Sequence, residues 1–262
     1  MTALGRGGVE VGPLSFGATG IGNLHRHVGD EEAHEAVAAA GERGIRCFDT
    51  ARHYGLGLSE RRPGAALREY DRAHCTVSTK VGRRLEPADS TSDDLANGFA
   101  VLTTHRRLRD CSADGIRRGL EVSMDCLGLD HLDVVHLHDP DDRADLFPAA
   151  IERGTSVIGG GVFNSGLLAN PTLTSTHDYA RTPLETPDRA LRQQAPAGRH
   201  DVTLRAAALA FCSAHPAVAG VLVGVGSAAE VRDCAEQFAI HVPAAFWREL
   251  RETDLLPTEE SS

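Results

Sequence analysis

One stretch decides the fold: residues 45–79 read IRCFDTARHYGLGLSERRPGAALREYDRAHCTVST. Its short apolar run ending at Asp49 predicts a strand, residues 59–70 predict a helix, and the run from Cys75 to Thr79 predicts a second strand. A strand, a helix and a second strand within a stretch of this length are typical of a parallel β-α-β unit. The stretch therefore predicts a sheet of parallel strands covered by helices.

The same alternation of apolar and amphipathic runs continues on both sides of this stretch. Before it, Val11 to Gly17 predicts a strand, and residues 30–43 predict a helix with Asp30 as its N-cap. After it, strands are predicted at 133–137, 155–158 and 219–223, and helices at 112–127, 146–153, 202–214, 227–238 and 243–255. Residues 81–111 are predicted to be irregular, and residues 160–200 to form a loop with a single helical turn.

These elements amount to about six strand–helix units, and we expect them to form one domain over residues 1–262. Two α/β architectures fit their order, a (β/α) barrel of the TIM type and an open doubly wound sheet. The open sheet predicts a G-x-G-x-x-G turn directly after the first strand. Residues 17–22, GATGIG, lack that spacing. The α/β barrel is therefore favoured.

Composition excludes several classes of partner. The chain has 262 residues, of which 27 are basic and 37 acidic, so its net charge is −10. This charge opposes binding to nucleic acid or to an anionic membrane surface, and no apolar run approaches the roughly 20 residues of a membrane span. The 6 cysteines form no C-x-x-C pair and the N-terminus shows no leader pattern. We therefore expect a cytoplasmic protein with reduced thiols that acts on a small molecule.

Four side chains with acid–base chemistry follow predicted strands. Asp49 and Tyr54 follow one strand, Lys80 follows the next, and His138 follows the strand at 133–137. Active sites of barrels lie at the carboxyl ends of the strands, so these groups are expected to converge. An ammonium favours the phenolate form of a nearby tyrosine, a carboxylate orients the ammonium, and an imidazole polarises the same oxygen. The set predicts proton transfer at a carbonyl or hydroxyl oxygen, with a nicotinamide cofactor carrying the hydride.

Three runs resemble motifs of the aldo-keto reductase superfamily. Residues 48–60, FDTARHYGLGLSE, are similar to its F-D-T-A-x-x-Y-G-x-G-x-S-E signature. Residues 78–82, STKVG, resemble its catalytic-lysine strand, and residues 129–140, LDHLDVVHLHDP, resemble its catalytic-histidine strand. The resemblance implies a catalytic tetrad made up of Asp49, Tyr54, Lys80 and His138. Residues 160–168 and 206–219 resemble the branch that oxidises aldoses such as L-fucose or D-threo-aldoses at C1.

The resemblance also implies a site for NAD or NADP in two groups of residues. One group is Asn164, Ser165, Gly166 and Leu167, and the other is Gly224, Gly226, Ser227 and Glu230. The second group opens a predicted helix, where free backbone N–H groups favour a phosphate. The family commonly has a basic residue at the position of Gly226 and an amide at that of Cys234. Because both are absent, NAD is preferred, with Arg232 as a replacement cation.

The chain departs from the family pattern in its middle. The family barrel has eight strands, but here His138 is followed almost directly by residues 146–154, which resemble the helix before the seventh strand. Two strand–helix units of ~30 residues each are therefore expected to be absent. An incomplete TIM-like barrel of about six parallel strands results, and its open edges favour self-association.

Two other functions stay open on the sequence alone. A shortened relative can fold without turnover and act as a non-enzymatic protein or one that a partner chain completes. His136 and His138 form an H-x-H pair like that of metal-dependent hydrolases, but later strand ends offer glycines instead of the further ligands required, so no metal is predicted. Ser227 and Glu230 also fit an S-x-x-E capping box, a structural role that needs no cofactor.

Overall fold

The computed structural model describes residues 2–4, 8–138, 152, 156–164, 166–172, 176–177, 180–181 and 185–256. The strands in these ranges are β1 (Thr2–Leu4), β2 (Val9–Val11), β3 (Leu14–Gly17), β4 (Cys47–Asp49), β5 (Thr76–Val81), β6 (Arg83–Asp94), β7 (Phe99–Arg109), β8 (Val134–Leu137), β9 (Val157–Gly159), β10 (Thr176–His177), β11 (Ala180–Arg181) and β12 (Val218–Gly224). The helices are α1 (Asp30–Glu42), α2 (Leu58–Leu67), α3 (Ala113–Leu127), α4 (Glu185–Arg199), α5 (Leu204–Ser213), α6 (Ala228–Phe238) and α7 (Ala244–Glu252).

The central sheet has 6 strands in the order β8-β5-β4-β3-β12-β9. All of its neighbouring strands are parallel. The first of these strands in the chain, β3, pairs with β4 on one side and with β12, the last of them, on the other. Pairing of the first strand with the last is the order of a barrel. Within the described residues β8 and β9 each have a neighbour on one side only, which confirms the predicted incomplete barrel.

The core lies between this sheet and the helices that cover it. Phe16 on β3 and Phe48 on β4 are buried, with their ring centroids 5.8 Å apart. The helices α4, α5 and α7 form a second apolar cluster around Phe246 and Leu250. Burial of these side chains is what makes the strand ends a fixed frame for a site.

The amino ends of the parallel strands are covered by the antiparallel hairpin of β1 and β2. The hydroxyl of Thr76, at the start of β5, donates to the Glu10 carbonyl oxygen at 2.8 Å. The prediction of one strand over Val11 to Gly17 was therefore wrong. Gly12 and Pro13 separate β2 from β3, and a proline cannot donate to a strand ladder.

Residues 81–111 are not irregular, contrary to the prediction. They form the long antiparallel hairpin of β6 and β7, closed by a turn at Leu95–Asn97 and Gly98. The hairpin is polar and its register shifts twice, between Pro87 and Ser92 and again between Asp93 and Asp94. These bulges remove the alternation of apolar and polar residues by which a strand is predicted.

Residues 160–200 also contain more structure than predicted, because α4 spans 15 residues. Pro187 lies in its first turn, where a backbone N–H would have no partner within the helix, and Pro196 lies at the start of its last turn. At the start of α1 the N-cap is Gly29, and Asp30 lies in the first turn among three acidic residues. The helix predicted at 146–153 lies outside the described residues except for Glu152. In the part of the chain that the structure describes, no helix combines the length and apolar character needed to cross a membrane.

Candidate active site

Asp49 and Lys80 form a nearly buried ion pair at the carboxyl ends of β4 and β5. Lys80 Nζ contacts one carboxylate oxygen of Asp49 and donates to the Thr50 carbonyl oxygen at 3.0 Å. The Ser78 hydroxyl donates to the other carboxylate oxygen at 2.6 Å. The side chains of Asp49 and Lys80 are 5% and 14% exposed. The ammonium is therefore fixed in position, as expected from the strand register, in which Asp49 lies beside Ser78.

The groups next to Lys80 keep its side chain protonated. Burial lowers the pKa of this ammonium, but the negative charge of Asp49 and the contact with Tyr54 outweigh burial, so that its pKa lies above the ordinary value. A permanently charged ammonium stabilises negative charge that develops on a nearby oxygen.

Tyr54 lies at the start of the tight turn Tyr54–Gly57 that follows β4. Lys80 Nζ is 5.0 Å from the centroid of the Tyr54 ring. The turn requires glycine at position 55, because the φ angle there is 55° and a side chain would collide with the Gly22 carbonyl oxygen. The sequence of the turn thus places the phenol against the ammonium.

His138 completes the predicted set. It follows β8 directly, its backbone N–H donates to the Val81 carbonyl oxygen at 2.9 Å, and its side chain is buried. Its ring packs edge-on against Tyr54, with the centroids 5.4 Å apart. The structure therefore brings Asp49, Tyr54, Lys80 and His138 into one cluster.

His53 was not singled out by sequence reasoning. Its ring lies 5.9 Å from that of Tyr54, 5.1 Å from that of His138 and 5.7 Å from that of Phe99, measured between centroids. Burial, followed by the positive charge of Arg107, lowers the pKa of His53 to about 3. Its position next to Tyr54 was the one available signal.

His136 was considered only as part of a metal pair. It pairs in register with Lys80 across β5 and β8, and its Nε2 is 3.8 Å from a carboxylate oxygen of Asp49. Burial lowers its pKa, and Asp49 opposes this shift without reversing it. Among the described residues no group of three or more His, Cys, Asp or Glu side chains could hold a metal ion. His136 is thus a neighbour of the Asp49–Lys80 pair.

The hairpin of β6 and β7 forms one wall of the cluster. Phe99 is buried and its ring centroid is 6.1 Å from that of Tyr54. Arg107 forms an ion pair with the buried Asp94 and donates to the His53 carbonyl oxygen at 2.9 Å. The hairpin therefore fixes the backbone next to Tyr54.

Two cavities adjoin this cluster. One of about 690 Å³ lies between β7 and the turn after Tyr54, where Gly55, Leu56 and Thr103 line it. The other, of about 260 Å³, is lined by Lys80 and by Arg52, Arg83, Arg84 and Arg118. The larger of the two volumes lies in the range of small-molecule sites.

The second predicted group of cofactor residues surrounds the start of α6. Gly224 is exposed, and an added side chain there would meet open space. The Ser227 hydroxyl accepts from the Glu230 N–H at 3.3 Å, and the Glu230 carboxylate accepts from the Gly226 N–H at 2.7 Å. Ser227 therefore caps the helix, and the Glu230 carboxylate already occupies the Gly226 N–H group, which a phosphate could use.

Arg232, the replacement cation predicted for this site, lies 3.6 Å from Glu42 on α1, measured between the guanidinium and the carboxylate. Arg26 instead donates to the Gly226 carbonyl oxygen at 3.0 Å and pairs with Glu32. Cys234 is buried in the core, where burial raises the pKa of its thiol to about 12.

The first predicted group follows β9, the strand beside β12. Asn164 and Gly166 have φ angles of 50° and 89° in a tight turn, and the Leu167 side chain is buried. Ser165 lies outside the described residues. The two predicted groups thus follow two neighbouring parallel strands, β9 and β12, at the carboxyl ends of both.

Comparisons with known proteins agree on one family. The model of the aldo/keto reductase family matches residues 13–158. A D-threo-aldose 1-dehydrogenase from a Pseudomonas species is 34% identical over 96% of this chain and 96% of its own. A pyridoxal 4-dehydrogenase from Microbacterium luteolum is 28% identical over 97% of both. The solved structure of a glycerol dehydrogenase from Gluconobacter oxydans superposes with a TM-score of 0.73 at 17% identity, covering 100% of this chain and 98% of that one, which supports the fold.

The same comparison shows that the relative has residues without a counterpart in this chain. The alignment with the Pseudomonas enzyme runs over 317 positions and this chain has 262 residues, so at least 55 residues of the relative (317 minus 262) have no counterpart here. That length fits the loss of two strand–helix units of ~30 residues each. With a family model over more than half of its length and a relative of this similarity over nearly all of it, the chain belongs to the aldo/keto reductase family of oxidoreductases.

Proposed function

We propose that this protein oxidises an aldose at C1 to the lactone with NAD as the hydride acceptor, or reduces a small polar aldehyde to the alcohol with NADH as the hydride donor. The observation that carries the proposal is the single cluster of Asp49, Tyr54, Lys80 and His138 at the carboxyl ends of β4, β5 and β8. The similarity to a D-threo-aldose 1-dehydrogenase supports an aldose as the substrate.

In this proposal each residue has one role. Tyr54 removes the proton from the C1 hydroxyl during oxidation and returns it to the carbonyl oxygen during reduction. Lys80 stabilises the negative charge on the phenolic oxygen, and Asp49 holds Lys80 in place. His138 donates a hydrogen bond to the same substrate oxygen. A bound nicotinamide supplies the hydride acceptor for oxidation.

The residues at the start of α6 fit a dinucleotide that has no 2′-phosphate. The helix offers N–H groups without intrahelical partners, and Gly224 leaves space for a ligand. The Glu230 carboxylate beside Gly226 repels an additional phosphate. Arg26, the cation nearest to this turn, is neutralised by Glu32. These contacts support NAD over NADP.

Titration calorimetry with each dinucleotide tests this preference. We expect the wild-type protein to bind NAD more tightly than NADP. Gly226→Lys adds a cation at a position where an added Cβ lies 3.4 Å from Arg26 and 3.7 Å from Glu230, the range of ordinary van der Waals contact. The variant should shift the ratio of dissociation constants toward NADP by about tenfold. An unchanged ratio would count against this location of the ribose, and no binding of either dinucleotide would refute the proposed function.

A further inference from the structure

His53 contributes a polar group to the candidate site that the proposed reaction does not use. Its ring contacts Tyr54, His138 and Phe99, all with centroids less than 6 Å away. Tyr54 and His138 are the two groups assigned to the reacting oxygen. His53 is therefore adjacent to both of them.

The Nδ1 atom of this ring is buried, and no hydrogen bond to it occurs among the described residues. A buried polar atom without a partner is costly, and such atoms in native proteins call for an explanation. The cost is not relieved by backbone movement, because Arg107 holds the His53 carbonyl oxygen at 2.9 Å. The torsion that turns an imidazole is broad, so the ring can present this nitrogen to a ligand while the backbone stays in place.

The environment also determines which ligand group can pair with His53. Burial and the nearby charge of Arg107 lower its pKa to about 3, so the ring is neutral at physiological pH. A neutral imidazole has one donor and one acceptor nitrogen, and a hydroxyl group can satisfy either. A carboxylate or phosphate would favour a charged imidazolium instead.

We propose that His53 determines substrate specificity by hydrogen-bonding the hydroxyl on the carbon next to the reacting carbon. This inference rests on the proposed function and narrows it to 2-hydroxyaldehydes, the class that includes the aldoses. The His53 ring centroid lies 5.9 Å from that of Tyr54 and 5.1 Å from that of His138, a spacing that suits an oxygen on the carbon next to the one whose oxygen Tyr54 and His138 bind. An aldehyde without that hydroxyl leaves the imidazole nitrogen unpaired, and sites of this kind discriminate strongly against such analogues.

The test compares two aldehydes that differ by one hydroxyl, 2-hydroxypropanal and propanal, in NADH-linked reduction by the full-length protein. The readout is the ratio of their kcat/KM values in wild type, His53→Phe and His53→Asn. His53→Phe keeps an aromatic ring against Phe99 and should lower the ratio by about tenfold. His53→Asn restores a donor and an acceptor and should recover part of it. The matched control is His74→Phe, an exposed histidine beside Asp71, which should leave the ratio unchanged.

If His53→Phe lowers kcat/KM equally for both aldehydes, the ratio is unchanged and the inference is overturned. A purely structural role of His53 would give this result, because it cannot distinguish the two substrates. Wild-type protein that reduces neither aldehyde and also forms no NADH with L-fucose or a related aldose would refute the proposed function separately. The inference would then be decided by NMR of ¹⁵N-labelled histidine. A shift of the His53 ring nitrogens with 2-hydroxypropanal but not with propanal supports it, and no shift rejects it.

Discussion

At the scale of the residue, burial controls the protonation of the histidine beside Tyr54. The ordinary pKa of an imidazole is 6.5, and in the folded protein burial and Arg107 lower that of His53 to about 3. Between these values the unfolded chain binds a proton at His53 that the folded chain does not. The free energy of unfolding therefore falls as the pH decreases from 6.5 toward 3.

His53→Phe removes this proton linkage. From about pH 7 to about pH 5 the wild-type protein should lose more stability than the variant, by less than ~1.4 kcal/mol per pH unit because the ring is partly exposed. Urea unfolding of both proteins at the two pH values measures the difference. Parallel losses in the two proteins would show that His53 is protonated in the folded state.

Four of the site residues could be predicted because the sequence places them at strand ends. Asp49 ends an apolar run, Lys80 ends the next one, and their contact follows from parallel neighbours in register. The contribution of His53 could not be predicted, because its low pKa depends on burial and then on Arg107, which reaches it from a hairpin far along the chain. For the same reason the contact of Arg26 with Gly226, two residues 200 positions apart, has no signal in the sequence.

At the scale of the element, the hairpin of β6 and β7 holds the wall of the site through one buried ion pair. The side chains of Arg107 and Asp94 are 12% and 4% exposed. Removing one member of such a pair leaves the other charge buried without compensation.

Arg107→Met should therefore lower the free energy of unfolding by about 3 kcal/mol. The double variant Arg107→Met/Asp94→Leu removes both charges and should recover at least half of that loss. Urea unfolding of the wild type and the two variants checks both statements. If the double variant is no more stable than the single one, the stability of the hairpin does not depend on this charge pair.

The elements that sequence analysis missed share a physical cause. β6 and β7 are polar strands joined through bulges, so neither shows the alternation of a half-buried strand. In α4 the residues Pro187 and Pro196 suggest a loop, although Pro187 occupies the first turn, where proline is tolerated, and the helix ends within one turn of Pro196. The strands of the central sheet were predictable because they are apolar and short.

At the scale of the whole molecule, the incomplete barrel ends in two edge strands, β8 and β9, among the described residues. β8 and β9 each lack a second neighbour within the described residues, and Val135 on β8 is 43% exposed. Unpaired strand edges favour association with another chain. We propose that residues 1–262 form one domain and that this domain self-associates through the open side of the sheet.

Sedimentation velocity tests this proposal. The wild-type protein should sediment as a dimer or a larger species, and Val135→Lys should shift it toward the monomer because a lysine on an edge strand opposes pairing. The control is Val122→Lys, which changes a valine of the same 43% exposure on the surface of α3 and should have no effect. A monomeric wild-type protein would contradict self-association.

The number of strands in the incomplete barrel was predictable because the motifs at residues 48–60 and 129–140 show which strand–helix units of the family pattern precede the missing ones. The conformation of the segment that stands in place of the two missing units was not predictable, because residues 139–151 carry no periodic pattern of apolar residues. Strand pairing between β3 and β12, which shows that the sheet has barrel order, depends on contacts between the two ends of the chain.

The most direct test of the whole account is the effect of Tyr54→Phe on NADH formation with L-fucose or a related aldose. Loss of the phenolic hydroxyl should reduce kcat by at least about 100-fold. The dissociation constant for NAD and the free energy of unfolding should stay close to those of the wild type, because the ring and its contact with Phe99 are kept. Turnover that survives the substitution unchanged would contradict the assignment of Tyr54 as the proton-transfer residue.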